Sequence, residues 1–306
     1  MPAASGPVVV LAGGTGGAKL ARGMLDVVGP DSLVVIANTG DDIEIYGAYV
    51  SPDPDLVTFW LADRIDERGW GLAGDTFAVM DELRELGVEV WFNLGDRDLA
   101  VGIERARALD EGERLTDAHA AIVAALGVGA KVLPMSDRPV RTRVLAGGRW
   151  WPLQEFLIRL GGREPVLDVD FRGVRAAAPT PEVMQAIAAA RAIIIGPSNP
   201  VISIGPIMAL EGVREAIRDS PAAAVAVSPL VRGSVIKGPT AAFMRFAQQP
   251  LNSAGVAAGY ADLIDGLVAD EPTKSVPVLE TEVLMDSPQA RRRVADQTLK
   301  FVLGLQ

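Results

Sequence analysis

Cysteine is missing from all 306 residues, and histidine occurs once, at His119. The first absence excludes disulfides, cysteine-ligated zinc, iron–sulfur clusters and thiol nucleophiles. The second makes a Ser-His-Asp triad or a histidine-rich metal site improbable, and His119, within an Ala-rich helical stretch, reads as structural. Basic residues are outnumbered, 29 Lys and Arg against 39 Asp and Glu, for a formal charge of −10. A chain this acidic lacks the basic surface that a nucleic-acid backbone requires, so no nucleic-acid partner is expected. Long hydrophobic runs are absent too. Nothing approaches the roughly 20 apolar residues of a membrane-spanning helix. No basic n-region precedes the short run from Val8 to Ala12, so neither a membrane anchor nor a signal peptide is expected, and the expected location is cytoplasmic. The chain is nevertheless 49% hydrophobic and 22% charged, which is ample for a buried core.

That first run, Val8 to Ala12, ends in glycines, as a strand buried on both faces of a parallel sheet would. A helix is predicted over 18–28 and a second buried strand over Leu33 to Ala37. Strand, glycine turn, helix and strand in that order make a βαβ unit, so the fold class is α/β, doubly wound around a mostly parallel sheet. Further helices are predicted over 55–68, 75–86, 116–126, 181–190 and 288–303. Further strands are predicted over 88–93, 192–195, 223–227 and near 278–284. Residues 140–145 and 150–156 straddle Gly147-Gly148 as a hairpin. A stretch of about 135–175 is therefore a possible inserted subdomain within one α/β domain spanning 1–306.

Two clusters carry chemistry. The turn Gly13-Gly14-Thr15-Gly16-Gly17-Ala18-Lys19 satisfies neither a P-loop, which needs Ser or Thr after Gly-Lys, nor the dinucleotide fingerprint, which needs a small residue at position 19. Its physics still suits an anion: glycine backbones approach closely, a helix N-terminus adds its dipole, and Lys19 adds a charge. Asp41 and Asp42 then follow the second strand, at the sheet edge that faces the ligand crevice in open α/β folds. With Asp53 and Asp55 in a proline-stiffened turn, they suggest a hard, oxygen-liganded cation such as magnesium. Asp53 or Asp55 could instead serve as a general base. Arg97 follows another predicted strand and could reach the same crevice. Strand-end loops at 196–200, 203–207 and 228–229 are suited to reading a base edge, and Lys237 to a phosphate pocket.

Taken together, the glycine turn, Asn38-Thr39-Gly40-Asp41-Asp42, Ser51-Pro52-Asp53-Pro54-Asp55, Gly74-Asp75-Thr76, Leu94-Gly95-Asp96-Arg97-Asp98, the block 197–207 and Ser228-Pro229-Leu230 occur in an order that closely resembles the 2-phospho-L-lactate transferase (CofD) family of coenzyme F-420 biosynthesis. The resemblance implies a Rossmann-like fold, magnesium as cofactor and a homodimer. It implies transfer of a phosphorylated three-carbon acid from a GMP-activated diphosphate to the terminal ribityl hydroxyl of the deazaflavin Fo. Which acid (2-phospholactate, phosphoenolpyruvate or 3-phosphoglycerate) stays open. By the same resemblance Asp55 and Arg97 lie near Fo, with Asp55 the catalytic candidate, and Asp41, Asp42 and Asp53 are candidates for the metal. Gly13, Gly14, Thr15, Gly16, Gly17, Lys19, Ser198, Asn199 and Ser203 would hold the nucleotide and its phosphates. The alternative is a nucleotide-sugar-binding regulator of the gluconeogenesis-factor type, which shares the glycine turn and the Asn-Thr-Gly-Asp stretch.

Overall fold

Five stretches of small and β-branched residues, VVVLA, LVVIA, AIII, AVAV and GLVA, are buried along their whole length. Strands this apolar need cover on both faces, and a parallel sheet between helical layers supplies it. In the computed structural model, which describes residues 6–236 and 238–305, they form the centre of a seven-stranded parallel sheet. In chain order the strands are β1 Val8–Ala12, β2 Leu33–Ala37, β3 Ile43–Ile45, β4 Ala48–Val50, β5 Lys131–Pro134, β6 Arg141–Ala146, β7 Arg149–Pro152, β8 Asp168–Arg172, β9 Ala192–Ile195, β10 Ala224–Val227, β11 Leu230–Val231, β12 Ser234–Val235, β13 Gly266–Ala269 and β14 Val278–Glu280. The large sheet runs β14-β13-β10-β9-β1-β2-β5, every pair parallel. The fold is α/β and Rossmann-like, as the strand–turn–helix pattern predicts.

Alternation along the strands divides the core in two. Val9, Leu11, Val34, Ile36, Ile193 and Ile195 face a layer built from helices α7 Pro181–Ala188, α9 Val213–Asp219, α10 Thr240–Phe246 and α11 Ser253–Gly259. Val8, Val10, Leu33, Val35 and Ile194 face α1 Gly14–Val28, α2 Pro52–Leu61 and α12 Pro288–Gly304. The remaining helices are α3 Ala78–Glu85, α4 Asp96–Asp110, α5 Leu115–Ala125, α6 Leu153–Arg159 and the short α8 Gly205–Met208.

Strand β1 lies between β2 and β9, and the chain leaves it in one direction to β2 and later returns on its other side as β9. This is the topological switch point of the sheet, where the loops after β1, β2 and β9 open a crevice. Beside it, β7, β6 and β8 form a separate antiparallel sheet with α6 packed on it.

Several predicted elements differ. Helix α1 begins at Gly14, so the glycine turn is itself the first turn of the helix. Helix α2 starts earlier and stops sooner than 55–68, because Pro52 occupies its first position and Asp53 and Asp55 complement its N-terminal dipole. Residues 153–156 turn helical in place of continuing the hairpin. No strand forms over 88–93: the N–H groups of Trp91 and Phe92 donate to the Tyr46 hydroxyl, not to a neighbouring strand. Lys237 lies outside the described residues.

Candidate active site

Asp53 joins the ends of β1 and β2. Its Oδ1 accepts from the Gly14 N–H and its Oδ2 from the Asn38 side-chain amide, 2.8 Å away. The Asn38 side-chain oxygen, Oδ1, in turn accepts from Gly40 N–H at 2.7 Å, folding the 38–42 loop back over the strand ends. The third side of the crevice is the loop after β9, where Ser198 Oγ accepts from Gly13 N–H at 3.2 Å.

The glycines are therefore required mainly by protein packing. A Cβ on Gly13 would stand 2.6 Å from Ser203 Cβ and 2.7 Å from Asp53 Oδ2, and one on Gly17 would stand 2.6 Å from Ser198 Oγ. One on Gly16 would overlap the Pro197 carbonyl. Only Gly14, at φ +65°, faces open space, with Thr15 half-buried beside it. No side chain caps α1 from Gly13 and its first turn holds no acidic residue; Asp53 takes the Gly14 N–H, which leaves the helix end open to an anion at Thr15 and Gly16. Lys19 does not join them: its ammonium lies over the Trp60 ring on α2, 5.8 Å from the centroid. Asn199 also works locally, its Oδ1 accepting from the N–H groups of Val201 and Ile202 at 2.9 and 3.2 Å.

Four buried carboxylates surround this point, each in a different state. Asp41 accepts from Gln154 Nε2 at 3.0 Å through Oδ2, while its buried Oδ1 has no partner. Burial first, then the charges of Asp53 and Asp42, hold its carboxyl well above the usual range. Burial likewise pushes Asp53 up to about 6, against the donors at Asn38 and Gly14. Asp42 is engaged by the hydroxyls of Tyr49 at 3.0 Å and Ser51 at 2.7 Å, with burial raising it to about 7. Among the described residues no group of three or more Asp, Glu, His or Cys is arranged to hold a metal ion. The three expected together as metal candidates thus differ: Asp41 keeps an unpartnered oxygen, Asp53 has both oxygens on N–H donors, and Asp42 has both on hydroxyls. Two carboxylates with one orphaned oxygen still fit magnesium, which is ordinarily held by one or two carboxylates plus substrate phosphates.

Asp55 belongs to another network. Arg105, fully buried on α4, grips both its oxygens, donating from Nη1 at 3.0 Å and from Nη2 to the other oxygen. Arg105 also donates to the Tyr49 carbonyl at 2.9 Å and lies 3.4 Å from His119 Nδ1. His119 is fully buried, and burial followed by the Arg105 charge keeps its pKa well below normal. Sequence reasoning missed Arg105, although buried Leu99, Gly102, Arg105 and Ala108 recur every three residues along α4. Arg97 is exposed in the first turn of α4, where its N–H donates to Asp75 Oδ1 at 2.9 Å. Asp98 is half-buried behind it, raised to about 7 by burial and then by Asp55 and Asp75.

Between the 40–44 loop and the antiparallel sheet lies a cavity of about 550 Å³. Asp41, Asp42, Gln154, Arg141, Arg143 and Arg172 are among the residues that line it. The crevice thus offers an anion-accepting helix end, two carboxylates suited to a cation, and a basic wall.

Comparison with known proteins shows the family to which the chain is similar. Residues 8–299 match the family model described as 2-phospho-L-lactate transferase CofD. The 2-phospho-L-lactate transferase of Methanosarcina mazei is 38% identical, covering 86% of this chain and 87% of its own length. That of Methanothermobacter thermautotrophicus is 41% identical over 86% and 85%. The phosphoenolpyruvate transferase of Kitasatospora aureofaciens is 38% identical over 94% and 97%. A crystal structure of a Bacillus halodurans member of the upf0052 family superposes with a TM-score of 0.55 at 19% identity, covering 91% of this chain and 89% of that one, a likeness of fold.

Proposed function

This chain belongs to the 2-phospho-L-lactate transferase family, and from that premise we propose that it moves a phosphorylated three-carbon acid from a GMP-activated diphosphate to the ribityl hydroxyl of Fo, releasing GMP, in coenzyme F-420 biosynthesis. The observation that carries this reading is the buried, unpartnered Asp41 oxygen beside Asp53, one short loop from the open N-terminus of α1. A pyrophosphate with a divalent cation is the ligand chemistry that satisfies all three.

Phosphoryl-group transfers proceed through loose transition states in most analyses, so the protein contributes mainly position and charge stabilisation. The N–H groups of Thr15 and Gly16 bind phosphate oxygens along the axis of α1. Asp53, fixed by Gly14 and Asn38, holds that turn against the 38–42 loop. Asp41 and Asp53 would hold magnesium, whose charge neutralises the diphosphate as GMP departs. Asp55 acts as a positioning residue: both its oxygens are gripped by Arg105, which fixes the first turn of α2 beneath the acceptor. A strong base is not required when bond formation to the incoming hydroxyl lags behind cleavage.

The test is product analysis by mass spectrometry after incubating the protein with Fo and each of the three GMP-activated acids, with magnesium and with excess chelator. One Fo adduct, lost on chelation, is the expected result. Absence of an adduct with every donor, together with a melting-temperature rise on adding a UDP-sugar but none with Fo, would overturn the transferase in favour of the nucleotide-sugar regulator.

A further inference from the structure

The antiparallel sheet turns a basic face to the cavity. On β6 the side chains of Thr142 and Val144 are buried, which places Arg141 and Arg143 on the opposite face. Arg172 of β8 stands directly across from Arg141, and Asp170 across from Arg143. Two arginines opposed in an antiparallel pair repel each other unless an anion lies between them. Tyr49 Oη at 3.1 Å and the Val140 carbonyl at 3.1 Å tether Arg141, with Glu44 3.7 Å away. Arg143 lies over the Trp150 ring, 5.4 Å from its centroid. Arg172 has no ion-pair partner among the described residues. All three line the cavity that Asp41, with its unpartnered oxygen, also lines.

We infer that this arginine face seats the carboxylate of the transferred three-carbon acid, making Arg143 and Arg172, braced by Arg141, specificity-determining residues of the donor site. The inference rests on the transferase reading above. Its geometry follows from the order of contacts across the crevice. The loop after β9 touches Gly13, Gly14 binds Asp53, and Asp53 binds Asn38. The 38–42 loop then meets the antiparallel sheet: Thr142 N–H donates to the Gly40 carbonyl at 2.6 Å, and Gln154 donates to Asp41. With the nucleoside diphosphate at the turn and the reacting phosphorus near Asp41 and Asp53, the part of the donor that extends towards the arginines is the acid. That acid ends in a carboxylate, whose planar oxygens match the guanidinium fork. A site built to bind a charged group rejects an analogue that lacks it far more strongly than a hydrophobic pocket rejects a missing methylene.

Calorimetric titration of the full chain with 2-phospholactate and, separately, with isopropyl phosphate, which replaces the carboxylate by a methyl, tests the seat without turnover. Arg143→Gln and Arg172→Gln are expected to weaken 2-phospholactate at least tenfold while leaving isopropyl phosphate and GMP within twofold. Arg175→Gln, which removes an exposed arginine outside the cavity, should change none of them. Equal weakening of both phosphates, or a wild type that does not prefer 2-phospholactate, overturns the inference. Product analysis run in parallel tests the reading beneath it: selective binding of the acid without transfer to Fo keeps the seat and removes the proposed reaction.

Discussion

Substituting Arg105→Met removes a buried guanidinium and strands the Asp55 carboxylate beneath it; Asp55→Asn does the converse. Arg105 is 0% and Asp55 3% exposed, so water cannot replace either lost partner. Breaking a buried pair from one side costs about 3–5 kcal/mol, because the surviving charge stays desolvated. Arg105→Met also loses the bond to the Tyr49 carbonyl, about 1 kcal/mol more. We expect Arg105→Met to lower the unfolding free energy by about 4 kcal/mol and Asp55→Asn by about 3 kcal/mol. The double variant buries neither charge, so its cost should fall short of the sum by about 2–3 kcal/mol. Urea unfolding at fixed pH measures all four corners of the cycle, with an unchanged m-value showing that the unfolded state is comparable. Additive costs, or a single variant costing less than about 1 kcal/mol, would refute the claim that this pair fastens α2 to α4. The outcome governs how activity data are read. A turnover loss in Asp55→Asn counts as chemistry only after correction for the fraction of protein left unfolded.

Asp98, at about 7 in the fold against an ordinary value near 4, favours the protonated state. Its contribution to stability is complete below about pH 4 and lost as the pH rises to 7, so Asp98→Asn should flatten that decline by about 2 kcal/mol in denaturation series at pH 4.5 and 8; equal slopes in both proteins would exclude it. Gly40→Ala forces a Cβ to 2.7 Å from Thr142 Oγ1 and 2.9 Å from Pro206 Cγ. It should cost about 2–3 kcal/mol by overpacking. Gly14→Ala, strained only by its φ of +65°, should cost about 1–2 kcal/mol, and calorimetric melting ranks the two. Asp41→Asn removes a buried charge while an amide oxygen can still accept from Gln154, so the ligand-free protein should gain about 1–2 kcal/mol and lose transfer to Fo; unaltered turnover would remove Asp41 from the site.

The parts of this fold governed by local physics were legible. Fully apolar runs ending in glycine or polar loops can only be interior strands, and β1, β2, β9 and β10 lie where that logic puts them. Residues 88–93 misled because their alternation is real but serves another purpose: Val90 and Phe92 pack against the β3–β4 hairpin. Periodicity reports which side chains are buried, and the partner has to come from tertiary structure. The glycine turn was legible as a close approach, yet what approaches most closely is the loop after β9, which no local pattern reveals. Arg105 stayed hidden because a helical arginine is usually solvated, and only the burial rhythm of its whole helix distinguishes it. The engagement of both Asp42 oxygens depends on Tyr49 of β4 and on Ser51 just before α2, a contact set by the hairpin.

The chain's formal charge of −10 opposes the approach of the proposed donor, which carries a diphosphate and a carboxylate. At about 0.01 M salt the Debye length is about 30 Å, comparable with the molecule, so remote surface carboxylates repel the donor. At about 0.15 M it falls to about 8 Å, and only nearby groups still act. Those nearby groups are the open end of α1 and the arginines of β6 and β8, which attract anions. Raising salt from about 0.01 to 0.15 M should therefore increase kcat/KM for the activated donor, and higher salt should then reduce it by screening the arginines themselves. A basic enzyme acting on the same donor would decline from the start. Measuring kcat/KM against sodium chloride at constant free magnesium decides the matter: a steady fall from the lowest salt would mean that the remote surface charge never governs capture, and that local attraction at the helix end and the arginines dominates at every ionic strength.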